Sequence, residues 1–77
     1  MNQTIIQEII NHTNTYDKVD LQHYIDNLDL NQLNPKNLIS KFVNLFLFYK
    51  NQDLPLKKII KRTYGTLILE NYAGDFE

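Results

Sequence analysis

The stretch LISKFVNLFLFY, Leu38–Tyr49, is the densest apolar segment of this 77-residue chain and decides its predicted fold. At about 100° per residue, its apolar side chains cover roughly half of a helix circumference, too much for a helix with one neighbour. Asn34 and Pro35 precede it as an N-cap and a first-turn residue. The pattern predicts a central helix over residues 35–50 that is contacted from two or more directions.

Three further amphipathic segments are predicted to pack onto this central helix. Thr4 is expected to open the first, with Gln7 as its capping-box partner. The second is expected to be capped by Asp17 or Asp20, and the fourth by Asp53. Apolar residues recur at helical spacing in each: Ile5, Ile6, Ile9, Ile10; Leu21, Tyr24, Ile25, Leu28; Leu56, Ile59, Ile60, Tyr64. Residues 1–77 are therefore predicted to form one all-α domain, a small bundle of about four helices without a sheet.

Gly65 leaves the course of the last helix open. It can end that helix as a C′ residue, or lie within a helix that continues to about Gly74 at a cost of ~1 kcal/mol. Leu67 extends the preceding apolar stripe, which favours the continuous helix. A short strand over residues 66–69 is a third possibility, but no second strand to pair with it is evident.

Composition limits the classes of protein to which the chain can belong. The net charge is −1 and cysteine is absent, so neither a strong nucleic-acid charge signature nor a disulfide framework is present. Apolar runs fall far short of the ~20 residues that span a bilayer. We expect a cytoplasmic protein without membrane contact. Ten asparagines, with many isoleucines and lysines, suggest a low-GC bacterial or phage origin.

The residue types needed for catalysis do not occur in productive patterns. His12 and His23 lack the i, i+4 spacing of a helical zinc pair. Ser40 is the only serine, and no histidine is placed beside it as a base. Gly65 and Gly74 cannot form a phosphate-binding loop. The prediction is a non-enzymatic protein with no catalytic, cofactor-binding or metal-binding residues.

A basic cluster marks the predicted fourth helix and allows two interpretations. It consists of Lys57, Lys58, Lys61 and Arg62. Such a cluster is commonly the solvated face of an amphipathic helix, and it can also contact phosphate or an acidic partner. Residues 54–73 further allow a helix-turn-helix, with helices at 56–63 and 67–73 and a turn at 64–66. That recognition helix would carry no Arg or Lys, and only Asn71 among the preferred base-reading side chains.

Apolar residues outside the main stripes point to a protein-binding function. Phe48 falls among Ser40, Lys41 and Asn44 on the polar strip of its helix. Ile68 and Leu69 project toward the basic side if the last helix is continuous. Exposed apolar surface usually marks an interface. We predict a small interaction module, a regulator or inhibitor that binds a partner protein or itself, through these side chains and the basic cluster. A DNA-binding regulator that uses residues 54–73 is the alternative.

Overall fold

The computed structural model describes residues 2–74, with side chains described for residues 2–71, as four α-helices and one short 3₁₀ helix. The α-helices are α1 (Asn2–His12), α2 (Lys18–Asp26), α3 (Leu38–Lys50) and α4 (Leu56–Gly74). The 3₁₀ helix, Leu30–Gln32, lies in the connector between α2 and α3. No strand occurs within residues 2–74, and helices cover more than half of the chain. The predicted all-α class is confirmed.

The helices pack so that each has two principal neighbours. α1 packs against α2 and α3, and α4 packs against α3 and α2. Fully buried side chains come from every helix, among them Ile9, Ile25 and Ile59. α3 contributes the two largest, Phe42 and Phe46. The predicted central position of this helix is not confirmed, because the principal contacts join the four helices in a closed ring.

α3 begins at Leu38, three residues later than predicted. The Asn34 side chain does not cap the helix: its Oδ1 accepts the Lys36 amide at 3.0 Å, which forms a local turn. The Pro35 carbonyl then accepts the Leu38 amide at 3.3 Å. Asn37 occupies the N-cap position in the left-handed region, with φ 56° and no side-chain cap bond. Asparagine tolerates this region better than most residues, so the chain turns here before the helix starts.

The first two helices differ in how well their starts were predicted. Asp17 caps α2 as expected, because its side chain accepts the Val19 amide at 3.1 Å. α1 begins at Asn2 and not at Thr4. Its predicted capping box is also wrong, since Gln7 donates to the Asn11 side chain at 3.0 Å.

α4 runs without interruption through Gly65, as the stripe that includes Leu67 predicted. Leu67 is only 3% exposed and extends the buried face by two turns beyond Ile60. The start of α4 differs from the prediction, because Asp53 lies in a turn with φ 57°. The carbonyl of Pro55 accepts the first helical bond, from the Ile59 amide at 3.0 Å.

The connector between α2 and α3 is anchored to the bundle at several points. Leu30 and Leu33 are buried. Asn71 of α4 donates to the Gln32 carbonyl at 2.8 Å and accepts the Asn34 amide at 3.2 Å. These two bonds hold the connector against the C-terminal half of α4.

Tyr16, in the connector between α1 and α2, covers one end of the core. Its ring meets Phe46 edge-on, with ring centroids 5.6 Å apart and an interplanar angle of 86°, a favourable aromatic geometry. Burial raises the pKa of the Tyr16 hydroxyl above its usual value of 10.0. The hydroxyl is therefore neutral throughout the physiological pH range.

Phe46→Ala is expected to abolish cooperative folding. Truncation of a buried phenylalanine costs about 3–5 kcal/mol, which approaches or exceeds the whole stability of a domain this small. Thermal unfolding followed by circular dichroism checks this. Phe48→Ala is the matched control, because Phe48 is 58% exposed on the same helix. A Phe46→Ala protein that melted cooperatively within a few degrees of wild type would contradict the expectation.

Asn71→Ala is expected to lower the free energy of unfolding by about 1 kcal/mol, net of the higher helix propensity of alanine. The loss reflects the two hydrogen bonds to the connector. Glu70→Ala is the control, because Glu70 makes only a half-exposed ion pair with Lys41, at 3.8 Å, and such pairs contribute little. Urea denaturation measures both variants. Equal effects would show that the bonds of Asn71 do not stabilise the fold.

Candidate protein-binding surfaces

The predicted basic cluster is exposed, but its members line different parts of the surface. Lys57, Lys58, Lys61 and Arg62 all lie on the first two turns of α4. Lys57 and Lys61 face α2 and line a groove between the two helices. Lys58 and Arg62 do not line this groove. The single basic face predicted from the sequence is thus divided in two.

The groove has a volume of about 340 Å³ and is open to solvent on one side. We call it the α2–α4 groove. It is lined by two segments: the C-terminal half of α2 with the residues that follow it, and the first two turns of α4. These lining residues are His23, Tyr24, Asn27, Leu28, Lys57, Ile60 and Lys61.

The α2–α4 groove combines an apolar part with cationic and polar side chains. Tyr24 and Leu28 are half-buried, and Ile60 is almost completely buried. The ring of His23 packs edge-on against Tyr24, with centroids 5.1 Å apart. Asn27 donates to the His23 carbonyl at 2.8 Å, which satisfies a carbonyl at the end of α2. Among residues 2–71, no carboxylate lines the groove.

The sequence did not reveal the groove. Helical periodicity shows which residues share a face, but it does not show that α2 packs against the start of α4. Lys57 and Lys61 are four residues apart on one helix face, which is the one signal in the sequence for this site.

A second surface lies where α3 and α4 pack together. Phe48 is 58% exposed, and its ring contacts that of Tyr49, with centroids 5.3 Å apart. The Tyr49 hydroxyl is hydrogen-bonded to the Thr66 hydroxyl at 2.8 Å. Leu69, one turn beyond Thr66, is 70% exposed. Phe48 and Leu69 are thus exposed apolar side chains on the two packed helices α3 and α4, and we call them together the Phe48–Leu69 surface.

The exposure of two apolar residues differs from what the sequence predicted. Ile68 is partly buried and packs against the core, so it does not lie free beside the basic residues. It follows Leu67, and the buried face of α4 is wide enough to include part of it. Val19, in the first turn of α2, is 69% exposed and was not recognised as an exposed apolar residue.

The helix-turn-helix that residues 54–73 allowed as an alternative does not form. The predicted turn at 64–66 does not form, because α4 is a continuous helix. Asn71, whose residue type is the one in this segment that commonly reads bases, is bonded to Gln32 and Asn34 of the connector. The residues of α4 therefore do not form two helices at the angle that this motif requires.

The basic side chains on α4 make no ion pair within residues 2–71, where Lys41–Glu70 is the one salt bridge. Over the same residues, no three His, Asp or Glu side chains gather where they could hold a metal ion. None of the helices in residues 2–74 has both the length and the hydropathy to cross a membrane. Comparison with known protein families, curated proteins and solved structures found no match to this chain.

Proposed function

We propose that this chain is a small non-enzymatic protein-binding module, which self-associates through the Phe48–Leu69 surface and acts as a regulator or inhibitor of a partner protein. The observation that carries the proposal is the exposure of Phe48 and Leu69 on two helices whose other apolar side chains, up to residue 71, are largely covered. A cytoplasmic location is part of the proposal, and the lack of cysteine is compatible with it.

Energetics support a modest interface at this surface. Complete burial of a Phe or Leu side chain contributes roughly 1.5–3 kcal/mol. Two copies bury four such side chains in a symmetric dimer, because both copies use the same patch. The costs of association offset part of this gain. A net charge of −1 produces little repulsion between copies. These terms favour a homodimer at micromolar or higher concentration.

The surroundings of the two side chains are typical of the rim of an interface. Ser40 and Asn44 lie on the same outward face of α3 as Phe48, and both are exposed. Arg62 lies two turns before Leu69 on α4. Polar rims around an apolar centre are usual in protein interfaces, where arginine is also enriched. The proposed centre therefore consists of Phe48 and Leu69, with Arg62 at its edge.

Phe48→Glu and Leu69→Glu are each expected to convert a dimer into a monomer without unfolding it. The substituted carboxylate would lose hydration in the interface, which is costly when it has no partner. Light scattering after size-exclusion chromatography measures the mass over a range of protein concentrations. Asn44→Glu is the matched control, because it adds the same charge to an exposed position of the same face. It should leave the mass unchanged.

Circular dichroism melting of each variant separates dissociation from unfolding. A wild-type protein that remained monomeric at several hundred micromolar would overturn the homodimer. Equal dissociation by Asn44→Glu would show that added charge, and not loss of an apolar contact, separates the copies.

A nucleic-acid regulator remains a second candidate because the four basic side chains of α4 are exposed and make no ion pair within residues 2–71. This candidate now relies on phosphate contacts alone, since the helix-turn-helix does not form. Binding to duplex DNA that weakened steeply with rising salt would favour it, because phosphate contacts release counterions. Association through apolar contacts changes little over the same salt range.

A further inference from the structure

We propose that the α2–α4 groove binds an acidic peptide segment of a partner protein. An apolar side chain of that segment packs between Tyr24, Leu28 and Ile60, and neighbouring Asp or Glu side chains contact Lys57 and Lys61. The proposal rests on the protein-binding function above, but it assigns the partner a chemistry and uses a surface separate from Phe48 and Leu69.

The shape and apolar lining of the groove suit one anchor side chain. Its volume of about 340 Å³ falls at the lower end of the range of ligand pockets. A Phe, Leu or Trp side chain can remove the exposed parts of Tyr24 and Leu28 from water. Anchors of this kind supply much of the affinity when a short segment binds in a groove between helices.

The charges around the groove select an acidic occupant. Lys57 and Lys61 lie one helical turn apart, so both can contact carboxylates on either side of one anchor. Asp26 and Asp29, the nearest acidic residues in α2 and its connector, do not line the groove; Asp26 accepts from Asn2 at 3.0 Å, and Asp29 accepts the Asn31 amide at 3.2 Å. Among residues 2–71, the charged side chains that line the groove are therefore Lys57 and Lys61.

The position of Lys57 adds a second electrostatic argument. It lies in the first turn of α4, which contains no acidic residue. The N-terminus of a helix carries partial positive charge, so acidic side chains are stabilising there and a lysine is not. A residue that departs from a local preference without a folding benefit is a candidate for function. A carboxylate of the bound segment would meet both the ammonium group and the helix terminus.

Selection from a library of random peptides of about 12 residues, a length that spans such a groove, tests the proposal on the full chain. Wild-type protein is compared with the double variant Lys57→Glu, Lys61→Glu. The matched control is Lys36→Glu, Lys58→Glu, which changes the net charge equally at two exposed positions outside the groove. Thermal melting establishes that both double variants are folded.

The expected outcome is enrichment, on wild type and on the control, of peptides with a single large apolar residue flanked by Asp or Glu. Synthetic versions of these peptides should bind the Lys57→Glu, Lys61→Glu variant at least about tenfold more weakly, while the control changes by less than about threefold. Replacing the apolar residue by Ser should weaken binding to the same extent. Nuclear magnetic resonance should show shifts at Leu28 and Ile60 on binding.

Several outcomes would overturn the proposal. One is that no peptide is enriched, and another is that the enriched peptides contain no acidic residues. A third is that the two double variants lose binding equally. Peptides that bind equally well with Ser as the anchor would reduce the groove to a nonspecific cationic surface.

Duplex or single-stranded oligonucleotides that bound through Lys57 and Lys61 and displaced the peptides would assign the site to nucleic acid. A protein that stayed monomeric but bound the peptides would contradict only the homodimer.

Discussion

Burial of Phe42 and Phe46 is the constraint on which the rest of the structure depends. α1, α2 and α3 are short enough to be marginal alone in water, so the fold requires a shared apolar interior. The two rings are the largest fully buried side chains, and Tyr16 covers Phe46 from the connector between α1 and α2. Neither a disulfide nor, within residues 2–71, a metal cluster supplements this packing. The stability of the fold therefore depends on this apolar interior.

Periodicity predicted most of the fold because helix faces are encoded locally. The stripe that includes Leu67 predicted the continuity of α4, and the polar strip around Phe48 predicted its exposure. The start of α3 could not be predicted in the same way. Asn34 and Pro35 are residue types that commonly begin a helix. The left-handed backbone conformation of Asn37, however, depends on the contacts that hold the connector between α2 and α3 in place. Part of that restraint comes from Asn71, which accepts the amide of Asn34, 37 residues before it in the chain.

The two candidate surfaces differ in how far the sequence alone could predict them. Exposure of Phe48 and Leu69 follows from their own helices, so the sequence revealed them. The α2–α4 groove depends on which helices are neighbours, and no local pattern in α2 indicates that it packs against α4. The basic cluster was visible as a run of residues. Its division into two residues that line the groove and two that do not became visible only once α2 was in place.

The arrangement of the helices also has a consequence for folding kinetics. α1 packs on α2 and α3 packs on α4, so two of the four principal contacts join helices that are consecutive in the chain. Closing their short connectors costs little chain entropy, and helical proteins with such local contacts fold in microseconds to milliseconds. We expect two helical hairpins to form first and their docking, through α1 with α3 and α2 with α4, to limit the rate. Temperature-jump relaxation slower than milliseconds would contradict this order of events.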